Sequence, residues 1–316
     1  MNILTTCKVK SRIQEKLLQS FPDVTFQFCT DIETAEAYLG NADILITYGG
    51  DLLEEHIQKA SNLKWIMVLS AGVDQLPFQA IKERSIIVTN ARGIHGVPMS
   101  EYAISMVLQV SRNSKTLWEN ERNHTWDQKV KMNEINGKTL LIVGAGAIGE
   151  EVARLAKAFR MRTIGVSRSG RPIDYFDECI KVDALTAKLP DADVVISILP
   201  STPETKNLFR KEQFDAMKDD GVFLNMGRGD VVNESDLTEA LQKRSIAHAV
   251  LDVFQEEPLP DKHPFWDMES VTITPHISGV SQPYQHRAME IFEQNLKKYL
   301  HNEKNLINVI DPNRGY

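Results

Sequence analysis

One run of this chain narrows its possible folds more than any other: "TLLIVGAGAIGEEVARLAKAF", residues 139–159. A short apolar segment ends at Gly144, and Gly144, Gly146 and Gly149 follow in GxGxxG spacing. Beyond them Val152, Leu155, Ala156 and Phe159 recur at i, i+3, i+4 and i+7, the apolar stripe of an amphipathic helix. A strand, a glycine-rich turn and a helix in that order make the first βα unit of a doubly wound sheet. Gly144 permits the tight turn, Gly146 lets backbone approach a pyrophosphate, and Gly149 lets helix pack on strand. The helix N-terminus offers N–H groups to anionic oxygens. Glycines alone leave two other readings open: a turn with no ligand, and a methyl-donor or mononucleotide site on the same fold.

The rest of the chain repeats the strand–helix rhythm. Apolar runs such as "MNILTT", "ADILITY", "LKWIMVLS" and "SIIVTN" precede the glycine motif, and "RTIGVS", "ADVVISIL", "GVFLNMG", "HAVLDVF" and "SVTITPH" come after it. Longer amphipathic segments separate them, so two open parallel sheets covered by helices are expected, an α/β class with one sheet per domain. Residues 97–123 carry a Pro near the start of a long helical pattern, which reads as the helix that opens the second domain. The segment "RAMEIFEQNLKKYLHNEKNLINVID" is helical again and is expected to return to the first domain.

With 316 residues and 42% hydrophobic content the chain can bury two cores. A net charge of −7 gives no electrostatic footprint for nucleic acid or an anionic membrane surface. Cys7, Cys29 and Cys179 are far apart and lack CxxC or Cys/His spacing, so buried free thiols are expected rather than disulfides or a metal site. No segment reaches the ~18 consecutive apolar residues of a membrane span. The expectation is a cytoplasmic protein acting on a small molecule.

In an open parallel sheet, ligands bind beyond the carboxyl ends of the strands. Three polar residues stand there: Arg228 after "GVFLNMG", Glu257 in "LDVFQEEP" and His276 after "SVTITP". Hydride transfer to a 2-oxo acid needs that set: a cation for the carboxylate, an acid for the carbonyl oxygen, and a carboxylate that keeps the acid protonated. Each has a plainer alternative. Arg228 could neutralise Asp230, Glu257 could be a solvated charge, and His276 could bond backbone in a turn, as His95 and His263 could.

Ser167, Arg168 and Ser169 close the strand that succeeds the glycine helix. NAD-binding versions of this unit place an acidic residue there for the ribose 2′-hydroxyl, and NADP versions place an Arg nearby. Two hydroxyls and a guanidinium suit a 2′-phosphate, so NADP(H) is expected to be preferred, with NAD(H) possible. The plainer alternative is a solvated arginine indifferent to the cofactor.

Taken in order, "VGAGAIG", "ILPSTPET", "NMGRGDVVNESDL", "LDVFQEEPLP" and "TPHISG" resemble the D-isomer-specific 2-hydroxyacid dehydrogenase family over about residues 65–316. The resemblance implies that Arg228 binds substrate, that His276 is the acid/base and that Glu257 pairs with it. It implies that "SAGVD" is the loop whose amides receive the substrate carboxylate, which brings in Gly72 and Val73. It adds Ala147, Ile148, Leu199, Pro200 and Met226 to the cofactor site, and puts Asp252 at the nicotinamide carboxamide. It further implies a flavodoxin-like substrate domain, 1–97 with 282–316, carrying an inserted Rossmann domain, 98–281. Members are usually homodimers, a role the segment from Trp118 to Trp126 could serve.

The expectation is therefore an NADPH-preferring reductase of glyoxylate, hydroxypyruvate or a small aliphatic 2-oxo acid. The same resemblance admits rivals. A dinucleotide-sensing corepressor of this fold would keep the same residues. Formate-oxidising relatives carry Gln where this chain has Glu257. Phosphoglycerate-oxidising relatives tend to carry Arg-x-Arg where this chain reads "TYGGDL", residues 47–52.

Overall fold

A computed structural model describes residues 1–73 and 75–311. The chain divides into two compact units, Met1–His95 with Ser281–Tyr316, and Gly96–Val280. The first contains a five-stranded sheet: β1 (Asn2–Thr6), β2 (Thr25–Cys29), β3 (Ile44–Thr47), β4 (Trp65–Val68) and β5 (Ile87–Asn90). Its order is β2-β1-β3-β4-β5 with every pairing parallel, the doubly wound order of flavodoxin-like sheets. The central strands ILIT and WIMV are buried at every position, as a sheet covered on both faces requires. Edge strand β2 alternates exposed and half-buried residues instead, and only its last residue, Cys29, is buried. The helix Tyr284–Leu300 belongs to this unit: Phe292 stacks on Trp65 at 5.4 Å, and Gln285 Nε2 donates to Lys8 O at 2.7 Å.

The second unit holds seven parallel strands: β6 (Thr139–Val143), β7 (Arg162–Ser167), β8 (Glu178–Lys181), β9 (Val194–Ser197), β10 (Val222–Asn225), β11 (His248–Leu251) and β12 (Val271–Ile273). Their order is β12-β11-β10-β9-β6-β7-β8. Numbered from β6 this is 7-6-5-4-1-2-3, the dinucleotide-binding order with one strand added at its edge. The order reverses at β6, so the crevice at a topological switch point lies at the glycine turn.

Helix Gly96–Ser111 opens this unit and packs Met99, Ala103, Ile104 and Val107 against Val152, Ala153 and Ala156 of helix Ala147–Ala158. The single long helix expected over 97–123 is two. Asn113 adopts φ 47, ψ 43, a left-handed conformation that Asn tolerates and a helix cannot continue through, and a second helix runs Ser114–Arg122. Cys7 and Cys29 are buried free thiols; Cys179, on edge strand β8, is only half-buried.

Candidate active site

Because all seven strands run parallel, the turns leaving β6, β9, β10, β11 and β12 emerge along one edge of the sheet. Gly144 leaves β6 at φ +103, and a Cβ there would stand 2.8 Å from Ile198 O. Gly144 N and Ala145 N both donate to Val166 O at 3.0 Å, tying the turn to β7. A Cβ on Gly149 would lie 2.7 Å from Gly144 O, so this glycine seats the helix on the strand. Around Gly146, by contrast, nothing stands within 4 Å of a Cβ position. The outer glycines close the fold, and the middle one keeps open space before the first helical amides, Ala147, Ile148 and Gly149. Those amides have no intrahelical acceptor. Room for oxygens and donors to meet them is what a cofactor pyrophosphate needs.

β7 ends on Ser167, one residue beyond the Val166 carbonyl that receives both turn amides. Ser167 Oγ accepts from Gly170 N at 3.1 Å and Ser169 Oγ from Arg171 N at 3.4 Å. Each hydroxyl therefore keeps its own proton for another acceptor. Arg168, between them, is exposed. Its charge reaches Glu204, whose carboxyl is held below the usual range by its own backbone amide first, then the Thr202 hydroxyl, and more weakly by Arg168.

Two glycines frame Arg228. A Cβ on Gly227 would lie 2.5 Å from Leu199 O and 2.6 Å from Leu199 N, and one on Gly229 would lie 1.9 Å from the carbonyl carbon of Phe254. Leu199 also reaches the first glycine, its Cδ2 standing 3.5 Å from a Cβ on Gly144. Pro200 beside it is exposed, and Met226 is buried with its N–H on Ser197 O at 3.1 Å. Arg228 Nη1 donates to Gly227 O at 3.0 Å, and Asn225 Nδ2 donates to Arg228 O at 3.0 Å. Asp230 Oδ2 accepts from Ser201 Oγ at 2.6 Å.

His276 Nδ1 stands 2.7 Å from Glu257 Oε2, and the other Glu257 oxygen accepts from Phe254 N at 3.0 Å. His276 itself sits at φ 54, an uncommon conformation for a side chain of this size. Asp252 accounts for it. The His276 amide donates to Asp252 O at 2.8 Å. The Asp252 carboxylate accepts from Thr274 Oγ1 at 2.6 Å, Ile277 N at 2.9 Å and Ser278 N at 2.9 Å. Every residue from Thr274 to Ser278 except Pro275 is thus bonded to one fully buried aspartate. The group that the resemblance assigns to the nicotinamide carboxamide is already a scaffold for the histidine, with about one of its four lone-pair sites left. Tyr102 OH bonds Thr274 Oγ1 at 2.7 Å, and burial first, then the Asp252 charge, pushes that phenol well above its ordinary range.

Gly72 and Val73 belong to the first unit, on the loop after β4. Asn90 Nδ2 donates to Ala71 O at 2.6 Å and Ser70 Oγ to Gly72 O at 2.7 Å. Both clamps use carbonyls, so the donors of the same two peptides, Gly72 N and Val73 N, are not consumed by them.

The arrangement in the second unit can place a cation, a proton donor and its carboxylate partner along one strand-end edge, next to a pyrophosphate cradle. Sequence reasoning missed Thr274, Tyr102 and the two glycines flanking Arg228. The glycines left a signal, since "GRG" after an apolar strand announces close backbone approach on both sides.

A family model described as D-isomer specific 2-hydroxyacid dehydrogenase, NAD binding domain, matches residues 104–278. Among curated proteins, a Homo sapiens protein named glyoxylate reductase/hydroxypyruvate reductase is 33% identical over 73% of this chain and 74% of its own length. A Methanocaldococcus jannaschii protein named D-3-phosphoglycerate dehydrogenase is 32% identical over 85% of this chain, which spans 52% of that relative. Among solved structures, an Aeromonas salmonicida D-isomer specific 2-hydroxyacid dehydrogenase family protein superposes with TM-score 0.91 at 34% identity, covering 98% of this chain and 99% of that one. An NADPH-dependent glyoxylate/hydroxypyruvate reductase from Sinorhizobium meliloti, solved with NADP and sulfate, gives TM-score 0.84 at 27% identity over 100% and 99%.

Proposed function

The chain belongs to the D-isomer-specific 2-hydroxyacid dehydrogenase family, NAD(P)-dependent enzymes acting on small 2-oxo and 2-hydroxy acids, and from that premise we propose that it reduces glyoxylate, hydroxypyruvate or a small aliphatic 2-oxo acid with NADPH as preferred donor. The observation that carries the reading is the His276–Glu257 contact of 2.7 Å, on a loop pressed through Gly229 against the segment of Arg228. The bound nicotinamide supplies the hydride. Arg228 holds the substrate carboxylate and polarises the carbonyl, a task for a forked, permanent cation. Glu257 accepts from Nδ1 of His276, which fixes the ring and leaves Nε2 to deliver the proton to the carbonyl oxygen. In the first unit, the amides of Gly72 and Val73 are donors suited to a carboxylate. Gly144, Gly146 and the amides of Ala147, Ile148 and Gly149 hold the pyrophosphate; Ser167, Arg168 and Ser169 hold the 2′-phosphate; Leu199, Pro200 and Met226 line the nicotinamide side.

A cytoplasmic homodimer is part of the same reading. Trp118 and Trp126, 57% and 89% exposed, support a subunit face, and three free thiols suit a reducing compartment. Initial rates of NADPH oxidation across small 2-oxo acids test the activity. Turnover is expected, and His276→Asn, chosen because Asn tolerates the left-handed backbone, should lower kcat by roughly 10²–10⁴-fold. No turnover of any of them, or full activity in the variant, would sink the reading.

A further inference from the structure

Residues 255–258 are exposed and irregular, yet they carry Glu257. An exposed turn holds a carboxylate to within a few tenths of an ångström only if something rigid tethers it. The tether is visible one peptide away. Phe254 N donates to Glu257 Oε1 at 3.0 Å, and the next amide, Gln255 N, donates to Glu234 Oε1 at 2.8 Å. Gln255 Nε2 adds a bond to Val232 O at 2.6 Å. We infer that Glu234 is a positioning residue for the proton-transferring pair, fixing the loop of Glu257 to the first turn of a packed helix; the inference rests on the roles proposed above for Glu257 and His276.

Glu234 is suited to this. It is the first residue of helix Glu234–Gln242, whose Leu237, Ala240 and Leu241 are buried and whose end is capped by Asn233 Oδ1 accepting from Asp236 N at 3.2 Å. Its side chain is 17% exposed, and its other oxygen lies 3.4 Å from Nε2 of His263. His263 Nδ1 accepts from Phe265 N at 3.4 Å, which puts the ring proton on Nε2, facing the carboxylate. Glu234 therefore has a donor on each oxygen and little freedom. From the other side the segment of Gly229 bears on Phe254 and Gln255, with a Cβ position 1.9 Å from Phe254 O and 2.6 Å from Gln255 N. The loop is held between the arginine segment and the glutamate, and the chain of contacts runs Glu234, Gln255, Phe254, Glu257, His276.

A plainer role would be a negative charge stabilising the helix N-terminus. Reach and charge separate the two. Glu234→Asp keeps the charge and withdraws the acceptor by one methylene; Glu234→Gln loses the charge and keeps an oxygen in place for Gln255 N, while its NH2 faces His263, whose ring accepts it as the Nδ1–H tautomer at the loss of only the long 3.4 Å bond from Phe265 N. Positioning predicts that Glu234→Asp lowers kcat by roughly 10-fold while KM for the 2-oxo acid stays within about 3-fold, and that Glu234→Gln stays within about 3-fold of wild type in both. It also predicts that Glu234→Asp adds nothing to the loss already caused by Glu257→Gln, since both act through one group. The inference is overturned if Glu234→Asp matches wild type, if Glu234→Gln is the worse of the two, or if the losses multiply in the double variant. Wild-type kcat in Glu257→Gln alone would overturn the underlying role of Glu257, and the inference with it.

Discussion

Gly229 lies so close to Phe254 that a Cβ on it would stand 1.9 Å from both the carbonyl carbon and the carbonyl oxygen. The obstacle is backbone, which cannot swing aside as a long side chain could. Gly229→Ala should therefore force the Arg228 and Glu257 loops apart, costing about 1–3 kcal/mol as overpacking does and lowering kcat with it. Gly146→Ala is the matched control, because nothing lies within 4 Å of its Cβ position. Its folding stability should change by less than about 1 kcal/mol, while KM for NADPH rises by roughly 10-fold as the pyrophosphate space fills. Urea unfolding and steady-state kinetics on the two variants check both halves. Equal behaviour of the two would contradict the assignment of one glycine to packing and the other to the cofactor.

Acid should weaken the second unit through His248. Burial first, then the charge of Lys115, pushes its pKa from 6.5 down to about 4, with Nε2 bonded to Thr272 Oγ1 at 2.9 Å. Between those values the unfolded chain takes up a proton that the folded chain refuses, so stability falls as pH drops from about 6.5 towards about 4 and is intact above that window. The full term is at most about 3–4 kcal/mol. His248→Gln, which can still bond Thr272, should lose this part of the slope between pH 7 and pH 5. An unchanged difference in unfolding free energy between the two pH values would count against it.

Much of this architecture was legible because period and punctuation are local properties. The βα unit at 139–159 shows in its apolar run and glycine spacing, and Arg228, Glu257 and His276 show as polar residues just past apolar strands. Other features depend on contacts distant in sequence. Nothing near Asp252 says that it will hold four points of the Thr274–Ser278 loop, because those bonds span 22 to 26 residues and arise only once β11 and β12 pair. The break at Asn113 was missed for the opposite reason: the helical pattern continues on both sides, and one left-handed residue leaves almost no trace in it.

Phosphoglycerate should be a poor substrate. The turn after β3 offers no cation in "TYGGDL"; it contains Asp51, whose Oδ1 accepts from Thr47 Oγ1 at 2.7 Å. A dianionic phosphate without paired cations, and near a carboxylate, is weakly held. kcat/KM for phosphoglycerate oxidation should fall at least about 100-fold below that for a small 2-hydroxy acid, the equivalent of about 2.7 kcal/mol of lost binding. Comparable values for the two substrates would show that the cation is supplied elsewhere.

The most direct measurement is kcat/KM for the reduction of glyoxylate or hydroxypyruvate, run in parallel with NADPH and NADH on the wild type and on Ser167→Asp/Arg168→Ala. Charge-assisted hydrogen bonds contribute about 1.5–3 kcal/mol each, so one good contact to the 2′-phosphate gives NADPH an advantage of roughly 10- to 100-fold. The double substitution should reverse that preference, since it adds an acceptor for the 2′-hydroxyl and removes the cation, while kcat with the better cofactor stays within about 3-fold because neither residue touches the reacting atoms. Equal or higher kcat/KM with NADH in the wild type, or a cofactor ratio unmoved by the substitutions, would contradict the account.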